Sequence, residues 1–244
     1  MKLSDVDRII VIGVGGTGGY VVGPLARYLL SRKYAGQLIL ADADSFEAKN
    51  QSRQLFGLDF VGMNKAEYHH KVLTMHLPAL ADQVSYIDEY LGRSHVEELF
   101  EDNCVVINCA DNNAIRKFVE DRLAELSDAI HICSGNELTT GQVQVAVRES
   151  GEWFTPTIFE RSPKFANGDG DRSDMSCEEL AVVDGGSQTI FANMTAAALI
   201  LNFVGILFQN DVTSYICDSI FFNTNTQGFK NYGATLRRQS LVTN

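Results

Sequence analysis

No pair of cysteines in this chain stands at C-x-x-C spacing, and the five that exist, at 104, 109, 133, 177 and 217, are odd in number and scattered. Neither a structural zinc nor a disulfide framework is expected from them, and a reduced, cytoplasmic setting is the default. Positive charge is also scarce: 20 Lys and Arg stand against 31 Asp and Glu, a net charge of −11. A nucleic-acid partner held through its phosphates needs a basic surface, and no basic stripe supplies one. A third absence is local, because no residue from 186 to 210 is charged. Gln188, Thr189, Asn193, Thr195, Asn202 and Gln209 punctuate that stretch, whereas a spanning helix wants about 20 predominantly apolar residues. A buried core or subunit-interface helix is therefore expected there, with no membrane partner. The opening Met-Lys-Leu-Ser-Asp-Val-Asp-Arg runs straight into a strand, so no signal peptide is expected.

What is present is an alternation of short apolar strands and amphipathic helices. Residues 8–14 hold consecutive Ile9, Ile10, Val11 and Ile12, a buried strand. Residues 17–33 place Val21, Val22, Leu25, Ala26 and Leu29 at helical spacing, and 37–41 read as a second buried strand. The alternation continues with a helix over 63–77, strand 84–87, helix 95–100, strand 104–109, helix 113–126 and strand 129–133. It then changes: 141–149 alternates as a half-exposed strand suited to antiparallel pairing. Residues 160–178 are rich in Gly, Asp, Asn, Ser and Pro and read as a long loop. Two further strands are expected near 214–222 and 228–236. The fold class is α/β: a Rossmann-like, mostly parallel twisted sheet with helices on both faces and antiparallel C-terminal strands.

The chemistry concentrates between residues 13 and 116. Gly13-Val-Gly15-Gly16-Thr-Gly18 follows the first strand and opens the first helix, a turn that lets a phosphate sit on the helix N-terminus. Asp42 stands at the end of the second strand, where an acid can bond ribose hydroxyls of NAD or ATP alike. Arg53 and Lys65 separate those two, since a dinucleotide fold needs neither cation there. Arginine offers a planar fork for phosphate oxygens, lysine a point charge. Asp111 follows the fourth strand and is either a helix N-cap or a metal ligand.

Taken together these residues resemble the superfamily that activates ubiquitin and the sulfur-carrier proteins, of the ThiF/MoeB/HesA type. The likeness rests on the glycine loop, Asp42-x-Asp44, Asn50-x-x-Arg53-Gln54, Val61-Gly-Met-Asn-Lys65-Ala, and Cys109-Ala-Asp111-Asn112 with Arg116, and reappears weakly at Ser176-Cys177. It implies a single adenylation domain over 1–244, with a nucleotide-binding half to about 135. The remainder would bind the carrier and form the dimer, with a crossover loop near 160–178. It implies ATP and Mg²⁺ as cofactors: Asp42 on the ribose, Asn50, Arg53 and Lys65 on the triphosphate, Asp111 on Mg²⁺. Its substrate would be the C-terminal carboxylate of a small β-grasp or ubiquitin-like protein, activated by adenylation within a homodimer or a heterodimer. A thioester or persulfide step through Cys177 is optional, the alternative being that Cys177 only packs. His69 and His70 read as ordinary helix residues without a metal partner.

The chain departs from many relatives in lacking the zinc pairs and an N-terminal helix that lends an arginine, only Arg8 being available. Other readings stay open: a non-catalytic ATP-binding partner in a heterodimer, or a relative that activates tRNA or a small molecule. An NAD oxidoreductase would leave Asn50, Arg53 and Lys65 unexplained.

Overall fold

The computed structural model describes residues 1–162, 188–209 and 217–233. Five strands are parallel: β1 (Arg8–Ile12), β2 (Gln37–Ala41), β3 (Val84–Ile87), β4 (Cys104–Asn108) and β5 (Ala129–Asn136). Four more are antiparallel: β6 (Thr140–Glu149), β7 (Glu152–Trp153), β8 (Cys217–Asn223) and β9 (Gly228–Gly233). All nine belong to one sheet of order β3-β2-β1-β4-β5-β6-β8-β9, with β7 added beside β6. The chain turns from β2 and β3 on one side of β1 to β4 and β5 on the other. That reversal of direction opens a crevice at the strands' C-terminal ends, the usual ligand position in such sheets.

Side chains of successive residues leave a strand on opposite faces. Ile9 and Val11 of β1 thus enter one core cluster, and Ile10 and Ile12 the other. The first cluster takes α1 (Gly16–Ser31), α2 (Lys65–His76) and α6 (Ile190–Gln209). The second takes α3 (Arg93–Leu99) and α4 (Asn113–Leu123), while α5 (Ile158–Arg161) covers β5 and β6 on that face. Helices on both faces explain why the central strands read as continuous apolar runs.

Two expectations need correction. The strand at 141–149 is not half-exposed: Gln144, Ala146 and Val147 are buried along with Val143 and Val145. The face bearing Gln144 is roofed by the α5 segment, and Gln144 Nε2 donates to Ser162 Oγ at 2.8 Å. The loop expected from 160 begins later, because Thr157 caps α5 by accepting the Glu160 N–H and the helix continues to Arg161. Most of that loop, with Cys177, lies outside the described residues. Helix α6 is long and apolar enough to span a membrane by length and composition, but half of it is buried in the protein, where it packs on α1, β5 and β6.

Candidate functional site

The glycine loop is shaped by what its neighbours leave no room for. Gly13 has φ +77°, and a Cβ there would lie 2.8 Å from the Ala110 nitrogen. A Cβ on Gly18 would overlap the Gly13 carbonyl, and one on Gly16 would lie 2.7 Å from Asn193 Nδ2. Gly15 is the N-cap of α1; no side chain caps this end and no acid occupies the first turn. Amide N–H groups are thus left for an outside acceptor, as at helix ends that bind anions. Gly13, Gly15 and Gly16 line a cavity of about 1140 Å³ at the strand ends; Gly18 does not line it and serves packing.

Asp42 closes β2 and ties the loop down: its Oδ2 accepts the Val14 N–H at 2.8 Å and its Oδ1 the Asp44 N–H at 3.0 Å. Burial pushes its carboxyl above the ordinary range, opposed by the nearby Lys65 charge. Lys65 is 6% exposed, and its Nζ pairs with Asp44 Oδ2 at 2.9 Å. The clamp exists because Asn64 joins both segments. Its Oδ1 caps α2 by accepting the Ala66 and Glu67 N–H groups, and its Nδ2 donates to the Asp42 and Asp44 carbonyls. Arg53 and Gln54 follow a 3-10 turn over Ala48–Ser52 and line the same cavity. Gln54 Oε1 is buried with no partner among the described residues, while its Nε2 lies 3.1 Å from where a Gly15 Cβ would stand. Asn50 lies apart: it is buried within that turn, Oδ1 accepts the Glu47 N–H, and it does not line the cavity.

Asn112 caps α4, accepting the Ala114 and Ile115 N–H groups, so the Asp111 carboxylate is not the cap. Instead it faces the cavity, where desolvation raises its pKa and Arg116 and Arg53 pull it down. Arg116, buried on α4, donates to Asn113 Oδ1 and the Ser134 carbonyl and stands 3.7 Å from Asp111 Oδ1. It is a further cation of the cavity, visible in the sequence motif but given no role there. A polar junction completes the floor. Asn136 Nδ2 donates to Asn193 Oδ1 at 2.6 Å, the Thr17 hydroxyl reaches both side chains, and Asn193 Nδ2 approaches the Arg53 carbonyl.

Arg8 takes no part, since it sits at the opposite end of β1, donating to the Glu98 carbonyl and pairing with Glu101. Cys104 and Cys133 are buried. Cys109 touches the cavity, but burial lifts its thiol, like that of Cys104, to about 12, which suppresses thiolate. His69 is the residue whose place periodicity could not reveal. It is 7% exposed beneath the glycine loop, its Nε2 and the Val14 carbonyl oxygen both lie within 3.3 Å of where a Gly19 Cβ would stand, and burial lowers its pKa to about 4.

Around this cavity, then, stand an uncapped helix end, the cations Lys49, Arg53, Lys65 and Arg116, a buried amide oxygen without a partner among the described residues, and the acid Asp111 beside two of those cations. Those donors fit a polyphosphate. Among the described residues no three His, Cys, Asp or Glu converge, so a Mg²⁺ ion at Asp111 would need its other ligands from phosphate and water. The apolar end, with Leu91, Ile115 and Phe118, suits an aromatic base.

Comparison with known proteins identifies the family and the fold. The chain is 28% identical over 149 residues to the SUMO-activating enzyme subunit uba-2 of Caenorhabditis elegans, covering 61% of this chain and 24% of that protein. It is 30% identical over 140 residues to ubiquitin-like modifier-activating enzyme 5 of Aedes aegypti, covering 51% and 34%. The matched stretch thus spans a quarter to a third of these relatives. In fold, the chain superposes on Escherichia coli MccB solved with ATP at a TM-score of 0.66 and 18% identity, over 95% of this chain and 65% of that one. MccB solved with MccA-N7isoASN gives 0.70. A model of the ThiF family matches residues 1–237, and with the glycine loop, the Asp42–Lys65 clamp and Asp111 in place the chain belongs to the ThiF family.

Proposed function

We propose that the protein adenylates the C-terminal carboxylate of a small ubiquitin-like or sulfur-carrier protein with ATP. The observation that carries this reading is the convergence of Arg53, Lys65 and Arg116 with the uncapped start of α1 on the cavity that Asp111 also lines. In such a reaction the carrier carboxylate attacks the α-phosphorus, the bond to the bridging oxygen breaks, and pyrophosphate leaves with its electron pair. Charge builds on the phosphate oxygens during the displacement, and fixed cations stabilise it without reorganising. Lys65 is held ready by Asp44, and Arg116 by Asn113 and Ser134, so neither must be ordered at the moment of reaction. Asp42 would accept from the ribose hydroxyls, and Asp111 would hold Mg²⁺, whose role is to neutralise phosphate charge. If a thioester step follows, the Cys177 thiolate would attack the adenylated carboxyl carbon and AMP would leave; a persulfide step would first need Cys177 loaded by a sulfane-sulfur donor.

The protein would work as a dimer in the cytoplasm. Phe191, Met194, Ala198, Asn202 and Ile206 form one uncharged exposed stripe along α6 among the described residues, the face we assign to the partner subunit. Arg116 would do part of the work of the N-terminal arginine of relatives, for Arg8 points away.

The test is carrier-dependent exchange of labelled pyrophosphate into ATP, using small β-grasp proteins encoded beside this chain. Exchange that Lys65→Ala abolishes supports the reading. ATP binding without exchange for any carrier would instead assign the chain a non-catalytic place in a heterodimer, the reading favoured by Arg8 facing away.

A further inference from the structure

The carbonyl of Val14 lies beside a side chain that the nucleotide chemistry does not use. Val14 is fully buried, and its N–H is already fixed by Asp42. The hydrogen-bond ladder of α1 opens just after it, with the Gly19 N–H on the Gly15 carbonyl at 3.1 Å. Below the turn lies the imidazole of His69. A Cβ on Gly19 would stand 3.2 Å from His69 Nε2 and 3.3 Å from the Val14 oxygen, so a side chain at 19 would crowd both partners of this contact. Phe46 and Tyr68 meet the ring edge-on at 6.3 and 5.2 Å between centroids and hold its orientation. His69 follows Lys65 by four residues, one turn along the same buried face of α2. One helix thus presents a cation to the cavity with its first residue and a loop support with its fifth.

We propose that His69 is a positioning residue for phosphate binding: it donates a ring N–H to the Val14 carbonyl while Asp42 holds the Val14 N–H, fixing the turn that carries Gly15 and Gly16. This rests on the nucleotide reading of the cavity, but the support itself belongs to the free protein. A neutral imidazole is what the contact needs, with one nitrogen bearing hydrogen, and burial keeps the ring neutral down to about pH 4. Packing alone would be satisfied by any side chain of similar volume; the donor would not.

Two variants separate those roles. His69→Leu fills much of the space without a donor, and His69→Gln keeps an N–H near the Nε2 position. Each is compared with the wild-type protein by thermal melting, by calorimetry with Mg-ATP, and by amide hydrogen exchange of residues 14–17 without nucleotide. The expected result is that His69→Leu loses about tenfold in ATP affinity and exchanges faster in the loop, whereas His69→Gln recovers most of both at a similar melting temperature. Wild-type loop exchange in His69→Leu, or loss in His69→Gln equal to that in His69→Leu, overturns the proposal. Faster loop exchange in His69→Leu beside a wild type that binds no ATP would keep the loop support and remove the nucleotide reading with its phosphate role.

Discussion

Gly18 shows how tightly single positions are determined near the loop. Its missing side chain lets the Gly13 carbonyl approach α1, and backbone cannot yield as a side-chain tip would. Gly18→Ala should therefore cost about 3 kcal/mol, the upper part of the overpacking range, read as a lower urea midpoint at unchanged slope. Arg53 and Lys65 matter instead for charge at the cavity. Removing Lys65 should weaken Mg-ATP binding about 10- to 150-fold, since charge-assisted contacts of this kind are worth about 1.5–3 kcal/mol each; calorimetry on Lys65→Ala checks it, and wild-type affinity would sink the assignment. The glycine spacing, Asp42, Arg53, Lys65 and Asp111 were all legible as residues, because each chemical type has few other reasons to stand in that order. The duties of Asn64, Arg116 and His69 were not. Hydrogen bonds to distant carbonyls leave no periodic trace in a chain.

Among the elements, α6 has two tasks on two faces. Its inner face carries Asn193, fully buried, which joins Asn136 of β5 to Thr17 of α1 and reaches the Arg53 carbonyl. Asn193→Ala should destabilise by about 2–3 kcal/mol by leaving these groups unpaired, and loosen Arg53 enough to weaken ATP binding; a denaturation midpoint and calorimetry on one sample test both. Its outer face is the uncharged stripe, and Met194→Glu should turn a dimer into monomers by light scattering while leaving the monomer fold intact. A wild-type monomer would remove that assignment. Strand β6 shows why exposure was misread from sequence. Its alternating Gln-Val pattern fits a half-wet strand, yet α5 covers the polar side, and Gln144 is satisfied by Ser162. A buried glutamine with a partner is indistinguishable in sequence from a solvated one.

For the whole molecule, the buried histidines set one limb of the pH dependence. His69 titrates at about 4 and His131, fully buried on β5, at about 3, both lowered by burial from 6.5. Below about pH 6.5 the unfolded chain takes up protons that the folded chain refuses, so these two residues make stability fall as pH drops, until their folded values are reached. The raised carboxyls of Asp42, Asp111, Glu120 and Asp218 act in the opposite sense, favouring the folded state as they gain protons and losing that contribution as pH rises. His131→Leu isolates the first effect. Neither ring nitrogen of His131 has a partner among the described residues, so the variant should be neutral or stabilising near pH 7 and lose less stability between about pH 6.5 and 4. Chemical denaturation at several pH values would show an unchanged slope if the residue does not titrate as described.

The sequence by itself determined the parallel half of the sheet, the glycine turn and the order of acids and cations along the chain. Those follow from local rules: apolar runs bury, glycine permits the turn, and strand ends face the crevice. Only the tertiary structure decided which residues meet there. It brought Arg116 to Asp111, took Asn50 out of the cavity, turned Arg8 to the far end of β1 and set His69 beneath Val14. The placements of Arg8 and His69 join segments tens of residues apart, and the energies of all four arise from burial and hydrogen bonding that exist only once the sheet has assembled.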